Sequence, residues 1–561
     1  MNKKVCSFPI LFALLALLIG TCAVVFPASA QAAPTSTGSI TVSGTVASSY
    51  DAYQIFSANV VDGDGDAKIA TDLAWASDAA RDAVLPVLHS AGMPNSQTTA
   101  QEAAEWLNTD SHLTSALSAQ LARSLQSSDA VSAALNAGTT AELPCGYWLI
   151  VADDDAIAQD QVGTAPIMAL VGGSAVTVKP KAATPKVSKH VLEDSTAAWQ
   201  KAADATVADA TVADDLYWRL SATVPAGLTA YDIYTVQFVD TMSAGLDPSK
   251  VAASMRVYVA AGADGGFDAV QTGKDGRAGT EPAKGWTDIT AQCATKVAAD
   301  GKTFTVRTGD LIAALGGADA FTAGARVVAV YNAPLNSACN HGIAKGNPNE
   351  VYLRYPRSPF ADQSGDAGFT RTPSDDACAY TWDLALTKRG SDGDKPLDGA
   401  VLSIADDRGR TLTADGTWDA EGKATVTTGE DGRVTVSGVD SGKLEVRELK
   451  APKGYTAFEV TRSVTVKAEG LDVDQVAAAK PKLTITAESP LRADSADGST
   501  GSLEASLINT PTGTPPSITT GGFMPSTGDM AMYAAAAAAV AGAALIVVAL
   551  LVKRGGGSHK E

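Results

Sequence analysis

Alternation of apolar and polar residues dominates this chain and predicts strands, because residues two apart on a strand share a face. SITVSGTV, from Ser39, carries that alternation, and GYWLIVAD, from Gly146, returns to it. Between them Leu113, Leu117, Leu121 and Leu125 recur at a spacing of four, which predicts a helix with Asp110 or Ser111 able to cap its start. From about Val187 to Arg371, short alternating stretches (YTVQFVD, MRVYVA, TFTVRT, ARVVAVY, EVYLRYP) are separated by Gly, Asp and Asn turns. A second strand-rich stretch runs from about Tyr380 to Asn509, again with polar turns such as RGSDGDKP and TGEDGR. The expected fold is mainly β, with a mixed α+β first domain followed by two β-sandwiches in series.

The two ends add targeting segments to that picture. Two lysines precede an early apolar run that closes on the small residues Ala28, Ser29 and Ala30, the pattern of a secretory signal over residues 1–30. Met530 to Val552 is uncharged and on the order of 20 residues long, enough for a transmembrane helix. Lys553 and Arg554 follow, so the short tail is expected to stay inside. The expected organisation is a first domain over 31–180, a middle sandwich over 181–372 and a last sandwich over 373–511. A Pro/Gly/Thr-rich spacer over 512–523 leads to the anchor over 529–552 and a cytoplasmic tail over 553–561.

Composition excludes some functions. A formal net charge of −19 argues against nucleic-acid binding. Cys6 and Cys22 fall in the signal, leaving Cys145, Cys293, Cys339 and Cys378 in a compartment where disulfides persist. No CxxC or Cys/His spacing suggests a metal site. The pairing is not readable from sequence, although Cys145 stands far from the others and a single bridge among the other three is favoured. Asp62, Asp64 and Asp66 resemble a calcium loop but lack the Glu at its twelfth position, so a polar turn is expected, and neither metal nor cofactor. No GxSxG, HExxH or P-loop is present, and His190 alternates with Lys189 and should face outward, so an enzyme is not expected.

The most informative residues are polar ones standing in apolar register. In TWDLALTK, Lys388 is in phase with Trp382, Leu384 and Leu386; in KLEVRE, Glu448 is in phase with Leu444 and Val446. In SLEASLIN, Asn509 is in phase with Leu503, Ala505 and Leu507. The middle domain repeats the order Lys, carboxyl, Asn. Lys189 is in phase with Val187 and Val191, Asp240 with Tyr234, Val236 and Phe238, and Asn349 with Val351, Leu353 and Tyr355. Asn347 shares that phase and stays open as the alternative partner.

Burying a lone charge costs several kcal/mol, so such groups need a chemical reason to be inside. An apolar site lowers the pKa of lysine and raises that of a carboxylic acid, which gives a neutral, nucleophilic amine beside a proton donor. Attack on an asparagine amide with loss of ammonia would leave an autocatalytic isopeptide bond, Lys189–Asn349 assisted by Asp240 and Lys388–Asn509 assisted by Glu448. These bonds would join the first and last strands of each sandwich and suit a fibre under tension. The first domain offers a contrast, because between Gln31 and Val178 its only lysine, Lys68, sits in a turn-like stretch, so a bond from its first strand is not possible.

These residues carry a resemblance over nearly the whole chain to the backbone (major) pilins of Gram-positive, sortase-assembled pili. LTKRGSDGDKPLDGAVLSI, ELKAPKGY and LINT resemble the immunoglobulin-like Cna protein B-type domain, with Glu448 at its E-box glutamate; VQFVDTMSAGLD and GNPNEVYLRY resemble the middle domain of such pilins. Met524, Pro525, Ser526, Thr527 and Gly528 match the Leu-Pro-any-Thr-Gly sorting signal at all but its first position. The resemblance implies that a sortase cuts between Thr527 and Gly528 and joins the Thr527 carbonyl to a pilin-motif lysine of another copy. VTVKPK places Lys181 at that lysine, with Lys179 and Lys186 as alternatives. The partners implied are sortase, further copies in a head-to-tail polymer, accessory pilins, peptidoglycan and a host surface ligand. The competing reading is a wall-anchored adhesin or accessory pilin, which would not need the acceptor lysine.

Overall fold

The computed structural model describes residues 36–513 apart from 45, 110–111, 159–160, 181–183, 194–206, 213, 227, 263–284 and 470–481. The expected signal, anchor and tail lie outside the described residues, among which no helix is long and apolar enough to cross a membrane. Strands dominate throughout, gathered around three principal cores.

In the first unit the 14-residue strand Ser49–Asp62 is the spine. It pairs with Lys68–Trp75, Ser132–Asn136 and Gly146–Ala152, and the last of these pairs with Ile167–Val171. The helices Asp78–Ser90, Ala100–Asn108 and Ser115–Gln126 pack Val84, Leu88, Leu121 and Leu125 against Ile55, Phe56 and Leu149 of this sheet. A second core sets Tyr50, Trp148 and Ile150 against a small sheet, where Thr37–Val42 lies between antiparallel Thr140–Pro144 and parallel Val176–Val178. The leucine helix begins later than expected. Its cap is Thr114, whose hydroxyl accepts the Leu117 N–H at 3.1 Å, and Leu113 packs on the core from just ahead of the helix.

The middle unit is a sandwich of two sheets. One runs Trp286–Asp288, Arg256–Ala260, Arg326–Asn332, Tyr217–Thr223 and Val187–Val191, all antiparallel. The other runs Val207–Asp209, Asp375–Tyr380, Asn347–Pro356, Gln237–Met242, Thr303–Arg307 and Ala294–Val297. Trp218, Leu220, Phe238, Phe304, Val351 and Leu353 fill the space between them. The first sheet is covered on both faces, since Leu192, Tyr258, Trp286, Val328 and Val330 form a further cluster on its far side. His190 is consequently buried, at 4% exposure, rather than facing solvent as expected. The in-and-out rule holds only for a sheet with one wet face.

The third unit pairs Trp382–Gly390 with Arg433–Val439 and, in parallel, with Ser502–Asn509, whose other neighbour is Leu491–Asp497. The facing sheet is built on Val401–Ala405, Gly442–Lys450, Arg462–Glu469 and Lys482–Ala487. The middle and last units are stitched together. Asp375–Tyr380 lies beyond residue 372 yet pairs within the middle sheet, and Val207 and Tyr380 pack into the core of the third unit. Asp209 Oδ2 accepts from Trp382 Nε1 at 2.6 Å and from the Ser441 N–H and hydroxyl at 3.0 and 2.5 Å. Cys145, Cys293, Cys339 and Cys378 are all free thiols, so the expected bridge is absent. Burial pushes the Cys293, Cys339 and Cys378 thiols up to about 11, where they are poor nucleophiles.

Candidate functional site

The strand register turns the inward-facing polar residues into two enclosed clusters. Along Asn347–Pro356 the odd-numbered positions are buried, and along Trp382–Gly390 and Ser502–Asn509 the buried set likewise includes Lys388 and Asn509. Lys189, Asp240, Asn349 and Lys388 are fully buried, and Glu448 and Asn509 are each 2% exposed.

In the middle unit Lys189 reaches from the edge strand of one sheet across the sandwich to Asp240 on the other. Lys189 Nζ bonds Asp240 Oδ2 directly and lies 2.9 Å from the Tyr331 hydroxyl. That hydroxyl donates to Asp240 Oδ2 at 3.0 Å and accepts from Asn349 Nδ2 at 2.8 Å. The rings of Trp218 and Tyr331 stand 5.6 and 5.5 Å from Nζ. Burial holds the Lys189 amine below its ordinary range and the Asp240 carboxyl above its own, each against the attraction of the other, so both are driven toward their neutral forms. Burial also raises the Tyr331 phenol well above its usual value, keeping it protonated.

Asn347, the alternative partner, is used elsewhere. Its Nδ2 donates to the carbonyls of Asn340 and Ala379 at 2.8 and 3.1 Å, and its Oδ1 accepts the Asn340 N–H at 2.8 Å. Asn349 lies on Asn347–Pro356, which is not the last strand of the unit, since Phe369–Arg371 and Asp375–Tyr380 follow it.

In the third unit Lys388 and Asn509 lie on adjacent parallel strands, Lys388 opposite Leu507 and Gly390 opposite Asn509. Lys388 Nζ donates to the Leu507 carbonyl at 3.0 Å and stands 3.7 Å from Glu448 Oε1. Asn509 Nδ2 lies 2.9 and 3.0 Å from the two Glu448 oxygens, and Oε2 also accepts the Phe458 N–H at 2.6 Å. Burial lowers the Lys388 amine to about 8. Asn349 Oδ1 and Asn509 Oδ1 are both buried without a hydrogen bond, a cost of about 1–3 kcal/mol each that packing alone does not explain. Each cluster thus presents an amine, an acid and an amide in a dry enclosure, the set needed for transamidation.

Tyr331 was not singled out in the sequence, although the same register points to it: within ARVVAVY it shares the inner core with Val327 and Ala329. The Phe458 N–H comes from a loop backbone and leaves no sequence signal. Lys181 and the sorting-signal residues Met524, Pro525, Ser526, Thr527 and Gly528 lie outside the described residues. Lys179 and Lys186 are exposed. Asp62 accepts from the Ser174 N–H and hydroxyl at 2.8 and 2.9 Å, and Lys68 donates to the Ser174 carbonyl at 2.6 Å. Among the described residues, the acidic group able to converge on a cation is instead Glu193, Asp209 and Asp440, with one oxygen each within 4.8 Å of the others.

The chain is thus a mixed first unit followed by two sandwiches, each with a buried amine–acid–amide cluster. Residues 383–480 match the SpaA family of prealbumin-like fold domains, a span that contains the stretches likened above to Cna B-type sequence except the terminal LINT. The trypsin-resistant surface T6 protein of Streptococcus pyogenes serotype M6 is 30% identical over 143 residues. That match covers 24% of each protein, so the chain spans about a quarter of this curated relative. These matches bear out the resemblance to Gram-positive backbone pilins. Similar solved structures include the T6 backbone pilin of serotype M6 Streptococcus pyogenes, at 17% identity over 85% of this chain and 98% of that one, with TM-score 0.44. Another is the full-length major pilin SpaD from Corynebacterium diphtheriae, at 15% identity over 85% and 98%, with TM-score 0.41.

Proposed function

We propose that the chain is the structural shaft subunit of a covalently polymerised, wall-anchored pilus displayed on the cell surface. Sortase cleaves Thr527–Gly528 and transfers the Thr527 carbonyl to Lys181 of the next copy, building a head-to-tail filament that ends on peptidoglycan. Intramolecular bonds Lys189–Asn349 and Lys388–Asn509 stiffen the two sandwiches. The observation that carries this reading is the pair of enclosed clusters, each holding a fully buried lysine against an acid and an asparagine whose amide oxygen has no partner. The neutral amine attacks the Asn Cγ, the new C–N bond replaces the C–Nδ2 bond, and ammonia leaves with the proton given up by the amine.

Two measurements test the proposal. The soluble ectodomain should weigh less than its sequence by two ammonia molecules, and an unshifted mass would rule out the internal bonds. In the native cell Lys181→Ala should abolish the ladder of boiling-resistant polymers. A complete ladder would mean that another lysine, Lys179 or Lys186 first, is the acceptor, or that the chain is an accessory pilin or adhesin.

A further inference from the structure

The two clusters differ in how the acid reaches the amide. Glu448 touches Asn509 Nδ2 with both oxygens, at 2.9 and 3.0 Å. Between Asp240 and Asn349 no direct hydrogen bond exists; the Tyr331 hydroxyl stands between them, 3.0 Å from Asp240 Oδ2 and 2.8 Å from Asn349 Nδ2. The same hydroxyl is 2.9 Å from Lys189 Nζ. One oxygen therefore touches the nucleophile, the acid and the leaving group, in a site where water is excluded and every group is fully buried.

We infer that Tyr331 is a catalytic residue of the middle domain, relaying the proton that Asp240 cannot itself deliver to the departing amide nitrogen. This rests on the Lys189–Asn349 bond proposed above. As Lys189 Nζ bonds to Asn349 Cγ, the amine gives up one proton to the Asp240–Tyr331 pair. The Tyr331 hydroxyl passes its own proton to Nδ2 and is reprotonated from Asp240 Oδ2. The C–Nδ2 bond breaks, ammonia leaves, and both Tyr331 and Asp240 end in their starting protonation states. Atoms and charge balance with no outside reagent: amine plus primary amide gives secondary amide plus ammonia. Tyr331 is well placed for the task, because its ring is fully buried and packs edge-on against Phe304, with centroids 4.8 Å apart.

The test is intact mass during refolding of the ectodomain, with the bond in the third unit as internal control. The wild-type chain reports separately on the underlying reading: if it keeps the ammonia of the middle unit, the bond itself is wrong. If it loses that ammonia, Tyr331→Phe, which keeps the ring, should slow the middle bond at least tenfold while the third-unit bond forms normally. Formation at the wild-type rate would overturn the relay. Adding Asp240→Glu to Tyr331→Phe lengthens the acid toward Asn349, as Glu448 reaches Asn509, and should restore bond formation. A core damaged only by loss of the hydroxyl would not be repaired this way, so a double variant that stays unlinked overturns the inference.

Discussion

Stretching the ectodomain from its two ends should release a short, defined length from the middle unit if Lys189 and Asn349 are joined. Tension entering at Val187 passes through the cross-link at Lys189 and continues from Asn349, bypassing everything between. The chain after Asn349 stays in the load path up to Tyr380, a segment of 380 − 349 = 31 residues. Within it, Asp375–Tyr380 is antiparallel to Asn347–Pro356, with Asn347 opposite Ala379 and Asn349 opposite Ala377. The loaded ends therefore lie at the same end of this strand pair, and pulling unzips its hydrogen bonds one after another. Fully extended, 31 residues reach about 100 Å at ~3.3–3.6 Å each. In the third unit Lys388 and Asn509 lie on adjacent parallel strands close to the entry and exit, so no comparable length is exposed. Single-molecule force spectroscopy should show a step of about 100 Å for the middle unit, none of that size for the third, and a separate long release from the first. Asn349→Ala should lengthen the middle step to more than ~600 Å, since 380 − 187 = 193 residues then extend. A long step from the middle unit of the wild-type chain, as in Asn349→Ala, would refute the cross-link; a linked chain with no short step would refute the unzipping geometry.

Glu448→Gln should leave the third unit unlinked, one ammonia heavier, and less stable by roughly 5 kcal/mol, the chain-entropy value for closing a loop of 509 − 388 = 121 residues. A mass gain with unchanged melting would contradict that account. Because the Lys388 amine is lowered from 10.5 to about 8, the neutral fraction, and with it the rate of third-unit bond formation on refolding, should rise about tenfold from pH 7 to pH 9 and then level off. The same shift gives the unlinked precursor a contribution to stability that is present above pH 10.5 and lost as pH falls to about 8, because only the unfolded chain gains a proton in that window; a flat profile in urea titrations would contradict it. Asp209→Ala removes the acceptor shared by Trp382 and Ser441 and should weaken the junction between the middle and last units by about 1–3 kcal/mol, read as separated melting of these two units where in the wild type they should melt together.

Much of this site was legible because a strand has a period of two and a sandwich has one dry side. That rule alone places Lys189, Asp240, Asn349, Lys388, Glu448 and Asn509 inside. It fails where burial is decided by chain far away in sequence. His190 is buried by an apolar cluster on what the alternation treats as the wet face, built from Tyr258, Trp286, Val328 and Val330. The choice between Asn347 and Asn349 turns on Asn340 and Ala379, which occupy the Asn347 amide, and no periodicity reports such hydrogen bonds. Tyr331 was hidden for another reason: in ARVVAVY an aromatic in phase with valine and alanine reads as core, and only its partners show that the hydroxyl matters.

The shared order of lysine, acid and asparagine also conceals a permutation that the side chains themselves record. In the middle unit the acid and the amide stand on neighbouring strands, with Thr241 opposite Glu350 and Met242 opposite Asn349, and the lysine crosses from the other sheet. In the third unit the lysine and the amide stand on neighbouring strands, and the acid crosses from the other sheet. The crossing acid is a glutamate, whose extra methylene lets it span the core and touch Asn509 directly. The acid beside the amide is an aspartate, short enough to fit next to its strand neighbour but aimed at the incoming lysine, and the remaining gap to Asn349 is filled by Tyr331, which crosses with Lys189 from the same sheet. Asp in one cluster and Glu in the other thus accords with which strand pairs with which, and under the proposed relay the tyrosine supplies the reach that the shorter acid lacks.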